Sequence, residues 1–567
     1  MRWVAALLVV PVLAVGCSLP LSRRVHEVDA AQPLRRQQGD LQVLPPGPKK
    51  GQSPQDVVQG FLGAQANPDD HHAIAREFLT AAAAATWQDD AEVQVYDPDS
   101  LRVQAQGGEG SPTVTVALIV SGQVRGDGSY LARSAAHVTE QYSATRVRGD
   151  WRLSQVPAGL RLTPADRDRS YQANSVYYLA PKTGESPPHV VPDEVFVPVG
   201  PDPALALVQR LLRPPSQSLA GTVTSALPAG TALRSVAISG SGVVTVDLAA
   251  GLAELPPASR QSLSAQLVWT LRDLGPTFSG LRLLSGGVPL PVPTVGPVQD
   301  AGSWNTYDPE GLGPNPPYYF VTARRLRASV TLPSGPATAG EAGDRGSVPV
   351  DSVAVTPDRT QVALLTGRAP GRVTVRTGPL RGPVYAEGPT VRDLTSPTWG
   401  SGQYGLWMLE GGRRVVLLPR GSKALVAVPV VLQPAGPLQA LALSRDGARV
   451  ALVIGGVLYV GRVEVVEGRP RVAGLTLVLP GLTRATRVAW SSGTELAVLG
   501  QLARPNQVLL VAVDGSSVTT LNSSGLIPVS LAASSAGLVV GSRSALYQAS
   551  GRGFVRIQTG ELPVFPG

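Results

Sequence analysis

A single cysteine, Cys17, occurs in 567 residues, so an intramolecular disulfide and any cluster of cysteine metal ligands are excluded. Histidine is nearly as scarce. The five residues His26, His71, His72, His137 and His189 are scattered without ligand spacing, so the commonest general base and metal ligand is in short supply. Aromatic residues make up 5% of the chain and charged residues 16%, and the net charge is a modest +8. No basic cluster reaches the density of a nucleic-acid footprint; the nearest run, "TARRLRAS" at Thr322–Ser329, reads as a strand with one cationic face. Beyond residue 16 there is no run of 18 apolar residues that could cross a bilayer as a helix. Motifs for phosphate loops, the GxSxG elbow, HExxH zinc sites and EF-hand loops are also missing. The composition therefore argues against an enzyme and against a nucleic-acid binder.

The abundant residues point elsewhere. Hydrophobic content of 43% is ample for packed cores, and 62 Gly with 52 Pro between short apolar runs imply many turns joining many short strands. The first sixteen residues, "MRWVAALLVVPVLAVG", combine Arg2 with an apolar core of about a dozen residues. That core is too short to span a membrane and suits a secretory signal, ending at the small residue Gly16 before Cys17. The pattern resembles the bacterial lipobox, in which cleavage falls between the positions of Gly16 and Cys17 and the new N-terminal cysteine carries lipid. Ala14 stands where leucine is usual. Residues 17–52 are polar and charged without apolar periodicity, and read as a flexible tether.

Three folded regions are expected after the tether. Region 53–197 opens with Ser53 as a helix cap and Pro54 in the first turn; Val57, Val58, Phe61 and Leu62 form one apolar face. A second helix is expected around Ile74, Phe78 and Leu79, continuing through an alanine run to Trp87. Long alternating strands follow, giving an α+β domain whose layout resembles an NTF2-like cone. In region 198–295 the order is helix (Ala204–Leu212), strands Leu233–Ile238 and Val243–Leu248, then helix Ser259–Leu274. "LVQRLL", "ALPAGTAL", "GVVTVDL" and "QLVWTL" make it similar to the GerMN domain, a small α/β module. Region 300–567 repeats a strand–turn–strand unit: Val355, Trp399, Leu443, Trp490 and Ala533 are equivalent positions spaced by about 43–47 residues. This spacing predicts a β-propeller of five or six blades. "PYYFVTARRLRASVTL" and "GRGFVRIQT" are the candidates to close the ring within one blade.

Several side chains invite functional readings and are given structural ones. His71 and His72 follow "NPDD" at a helix start and are expected in solvent, while His137 is expected to pack across strands. Asp247 in "VTVDL" is read as a strand-end cap. Asp358 and Asp446, in "TPDRT" and "SRDG", are expected to bond backbone in turns. "GSGQYG", Gly400–Gly405, matches the dinucleotide pattern GxGxxG, but "LWMLEGG" after it reads as a strand, so it is taken as a turn. No catalytic, cofactor or metal residue is assigned, and an envelope hydrolase would need paired carboxylates about 5–10 Å apart.

The order of lipobox, NTF2-like region, GerMN-like module and propeller ending in "GELPVFPG" resembles the LpqB family of actinobacterial lipoproteins. The resemblance implies a non-enzymatic protein on the extracytoplasmic face of the cell membrane, anchored through lipid (palmitate) on Cys17. It further implies an accessory role to a two-component system of the MtrA–MtrB type, with the extracytoplasmic domain of the sensor histidine kinase as partner and effects on the cell envelope and division. The alternative is an envelope-surface binder of a glycan or small ligand, through the cavity of the cone or the channel of the propeller.

Overall fold

The computed structural model describes residues 45–567, apart from 107–110, 181–188, 314, 330, 333–334, 337–341, 344–345, 368–369, 383–384 and 401–404. Gly16, Cys17 and most of the expected tether lie outside the described residues. The tether's last residues do not hang free: the Gly51 amide donates to Asp150 Oδ1 of the first sheet at 3.2 Å.

Helix Pro54–Ala64 begins as its sequence requires. Ser53 and Asp56 form a reciprocal capping box, with the Asp56 amide donating to Ser53 Oγ at 3.2 Å, and Val57, Val58, Phe61 and Leu62 are buried. The second helix is shorter than its apolar spacing suggests. It ends at Arg76, Phe78 and Leu79 pack beyond it, and Thr80 caps a separate helix, Ala81–Thr86. These helices cover a sheet ordered Asp150–Gln155, Tyr130–Val147, Thr113–Arg125, Glu92–Tyr96 and Leu160–Leu162, with Arg102–Gln106 also on Thr113–Arg125. In Thr113–Arg125 buried residues alternate with less buried ones, because one face lies against the helices.

The hairpin Tyr171–Leu179 with Val190–Pro198 falls within region 53–197 by sequence. Its Val176, Tyr178, Val190, Val191 and Val195 share a core with helices Pro203–Leu211 and Pro257–Leu271 of the second. The sheet of that second region runs Val288–Pro289, Gly280–Ser285, Val243–Leu248, Leu233–Ile238. Gly280–Ser285 is parallel to Val243–Leu248, as a helical crossover demands. The long helix ends at Leu271 and tightens into a 3-10 turn, Arg272–Thr277, at "GP".

From Ser352 to Thr559 the chain forms five antiparallel four-stranded sheets in succession. A further sheet joins Tyr319–Thr322 and Arg325–Ala328 to Glu561–Val564 near the end of the chain. The closing strand is thus "ELPV" rather than "GRGFVRIQT", which instead supplies the outer strand Gly553–Thr559 of the preceding sheet. The second strand of each repeat, such as Arg449–Ile454, is buried along its length because neighbouring sheets cover both faces. The repeat positions have a physical meaning. Trp399 Nε1 donates to Ala354 O at 3.1 Å and Trp490 Nε1 to Ala442 O at 3.0 Å, each reaching from one inner strand to the inner strand before it.

Candidate functional site

The described residues include two concave places: a central channel and a junction where the hairpin meets the propeller-type region. The channel, about 630 Å³, is lined by the innermost strands of all six sheets of that region. Thr395, Ser396 and Gln439 bring polar groups to it, and Asp351, Arg487 and Glu561 bring charge. Three of the inner strands slip register, between Thr395 and Thr398, Leu438 and Ala440, and Thr483 and Arg487. Such bulges re-aim side chains next to sites.

Arg445 also lines the channel, and its guanidinium is buried. It donates to Glu310 Oε2 at 3.1 Å, Pro566 O at 3.0 Å, Trp490 O at 3.2 Å and Ala533 O at 2.8 Å. One side chain thereby ties the connector before the propeller-type region, two of its sheets and the closing segment. Burial pushes the Glu310 carboxyl above its ordinary value and holds Arg445 below its own, with their mutual attraction opposing both shifts.

At the junction, buried Arg449 donates through Nη2 to Pro192 O at 2.6 Å, and His189 Nε2 lies 2.9 Å from Asp446 O. Arg167, on the first region, has its guanidinium carbon 5.2 Å from the ring centroids of both Tyr130 and Phe196 and donates to Ser516 O at 3.3 Å. Between these contacts lies a cavity of about 240 Å³ lined by Glu194, Asp514, Arg125, Arg449, Arg462 and Tyr130, among others. Burial drives the carboxyls of Glu194 and Asp514 upward, and Asp514 adds a repulsion on Glu194.

The residues singled out in the sequence fall mostly into structural roles. Asp358 accepts from the Thr360 amide at 3.1 Å and Asp446 from the Ala448 amide at 2.9 Å, both in turns. Asp247 accepts from Arg234 Nε at 3.0 Å and the Gly287 amide at 2.9 Å. Strand Leu406–Glu410 follows the glycine pattern, and the Gly400 amide donates to Gly405 O at 2.8 Å. His137 sits opposite Ile119 in the ladder and is exposed. His72 departs from expectation. Asp70, His71 and His72 all take positive φ (47°, 53° and 57°), and this left-handed turn swings His72 inward to meet the Trp87 ring edge-on at 6.1 Å. His71 stays exposed. Arg445, Arg449, Glu194 and Asp514 drew no notice in the sequence. The signal for Arg449 lay in the repeats: it occupies the position of Gln361 and Glu495, directly before a fully buried run.

Among the described residues no group of three or more His, Cys, Asp or Glu could hold a metal ion, and no helix is long and apolar enough to cross a membrane. The fold is that of a multidomain protein, with a GerMN-type α/β module ahead of a propeller-type β region. Residues 47–168 match the N-terminal domain of lipoprotein LpqB, 175–291 the sporulation and spore germination (Germane) domain, and 335–566 the LpqB beta-propeller domain. The chain is 30% identical to lipoprotein LpqB of Thermobifida fusca over 84% of each chain. It is 29% identical to lipoprotein LpqB of Streptomyces coelicolor over 98% of this chain and 96% of that one. Among solved structures it is similar to the first GerMN domain of the sporulation protein GerM from Bacillus subtilis, at 18% identity over 23% of this chain and 98% of that one, with a TM-score of 0.20. The chain belongs to the LpqB family of lipoproteins.

Proposed function

We propose that this is a lipid-anchored, non-enzymatic accessory protein of the extracytoplasmic membrane face that binds and modulates a sensor histidine kinase of the MtrA–MtrB type. The observation that carries this reading is the succession of an LpqB N-terminal match (47–168), a Germane match (175–291) and an LpqB beta-propeller match (335–566), behind an apolar segment that ends at Gly16–Cys17. In this reading Cys17 bears the lipid, the first region is an NTF2-like cone, and the propeller has six blades. The six innermost strands around one channel support that blade count. The test is a crosslinking pull-down from membranes with wild type and Cys17→Ala, followed by calorimetry of the soluble protein against the sensor domain. The kinase should be captured only with wild type, while the soluble form should still bind in calorimetry. No binding in calorimetry would refute the partner assignment.

A second reading, an envelope binder of a glycan or small ligand, is favoured by the size of the channel, about 630 Å³ with polar and charged walls. Native mass spectrometry of the purified protein tests it, since a retained mass lost on Gln439→Trp would place a ligand in the channel.

A further inference from the structure

The cavity at the junction contains an unresolved chemical requirement. Glu194 enters it from the hairpin and Asp514 from the turn that follows strand Gln507–Ala512. Asp514 Oδ1 accepts from the Ser516 amide at 2.8 Å. Asp514 Oδ2 and Glu194 Oε2, by contrast, are both out of contact with water and without any hydrogen-bond donor. An orphaned buried acceptor is costly, and an orphaned buried charge more so. Both residues line one small cavity, and each of these two oxygens lacks a donor. The turn itself has little room to move away. Gly515 has φ 78°, and a Cβ there would fall 1.7 Å from Val478 O and 2.8 Å from the side chain of Ala132 in the first region.

We propose that Glu194 and Asp514 form a proton-binding site: one proton shared between their carboxyl groups holds the hairpin to the propeller-type region, and its loss at higher pH loosens the joint. The surrounding charges are mixed. Glu194 is faced by Arg449, which favours its charge, and by Asp273 and Glu495, which oppose it. Asp514 is faced by Arg167, and Tyr130 and Asp168 lie beside that arginine. Arg125 and Arg462 complete the cavity, Arg462 already engaged by Glu464 at 2.7 Å. The cations soften the cost of the first ionisation, while the second must place two charges together. Because burial raises both carboxyls, the folded protein holds a proton that the unfolded chain has already released. The linked stability is therefore complete below the ordinary carboxylate range and is lost as pH rises through the value of the folded site.

The test uses the full chain with Glu194→Gln, Asp514→Asn and the double variant. The carboxamides keep the shape, supply N–H donors and cannot ionise. Two quantities are read from about pH 5 to about pH 8: the melting temperature, and the hydrogen exchange of segments 190–198 and 513–517 after correction for the chemical rate. In wild type the melting temperature should fall across this range and both segments should open. In the variants the fall should shrink by the equivalent of about one proton, leaving them more stable than wild type at the alkaline end. Variants that lose stability equally at every pH would overturn the proposal and mark the pair as a fixed polar contact or a cation site. Wild-type exchange at the two segments that does not change with pH would overturn it as well.

Discussion

Replacing Arg445 with methionine keeps an unbranched apolar stem and removes the guanidinium with its charge and donors. Four acceptors lose their donor at once: Glu310 Oε2 and the carbonyls of Pro566, Trp490 and Ala533. The Glu310 side chain is only 15% exposed, so it becomes a buried charge without a partner, worth about 3–5 kcal/mol. The three carbonyls add about 1 kcal/mol each where channel water fails to replace the donor. A loss of at least about 3 kcal/mol is expected. Glu310→Gln placed on top of Arg445→Met should return part of it, with a coupling of about 0.5–3 kcal/mol. A chain of several regions need not unfold in two states, so the readout is segment-resolved hydrogen exchange under mild denaturant, together with the fluorescence transition. Strands Ser530–Ser534 and Glu561–Val564 should open first, since Arg445 ties the former's Ala533 and the segment directly after the latter. A loss under about 1 kcal/mol, or strands that exchange as in wild type, would refute the claim that Arg445 fastens the ring.

Three further outcomes are expected. Trp399→Phe and Trp490→Phe each delete one inter-sheet hydrogen bond from an indole and leave Ala354 O or Ala442 O without that donor; each should cost about 1–3 kcal/mol by denaturant titration. Gly515→Ala should lower the melting temperature and raise exchange of segment 190–198, because the new methyl group meets Val478 O and Ala132 at a left-handed φ. His72 is held below its ordinary value chiefly by burial, so the folded state favours the neutral ring and stability should fall as pH drops below about 6.5; His72→Phe should flatten that acid limb in a series of melts, and an unchanged limb would show that His72 is not the group responsible.

Local signals carried the reading of the fold wherever the physics was local. The capping box at Ser53, the apolar face of Val57, Val58, Phe61 and Leu62, and the strand pair around "VVTVDL" all depend on residues within a few positions of one another. The repeat spacing was legible for a related reason: Trp399 and Trp490 must each reach the same carbonyl of the preceding inner strand, so the sequence repeats with the geometry. What stayed hidden depends on long-range contact. Nothing near Tyr171 tells that its hairpin will pack with helices further along, or that His72 will turn inward through three left-handed residues. The acid pair Glu194 and Asp514 is 320 positions apart, and neither residue stands in a motif. The glycine pattern at Gly400 shows the reverse hazard, a familiar motif in which the strand after it decides against a dinucleotide site.

Strand Val190–Pro198 decides how far the three regions can move independently. Side chains alternate along a strand, and here the alternation divides between cores: Val195 and Val197 enter the second region's core, while Phe196 between them enters the first's. Its earlier residues face the propeller-type region, through Pro192 O on Arg449 and through Glu194 in the junction cavity. Interfaces within a chain usually permit relative motion unless they are large and apolar. A strand that belongs to two cores and touches a third region removes that freedom, since sliding it would break ladder bonds and expose Phe196 or Val195 to water. Rotation of the first region against the second is therefore expensive, and the cheaper movement is at the polar contact with the propeller-type region. Buried polar pairs are where small chemical changes have large energetic consequences. The junction, rather than either region alone, is therefore where a change of charge on Glu194 or Asp514 has the largest mechanical effect.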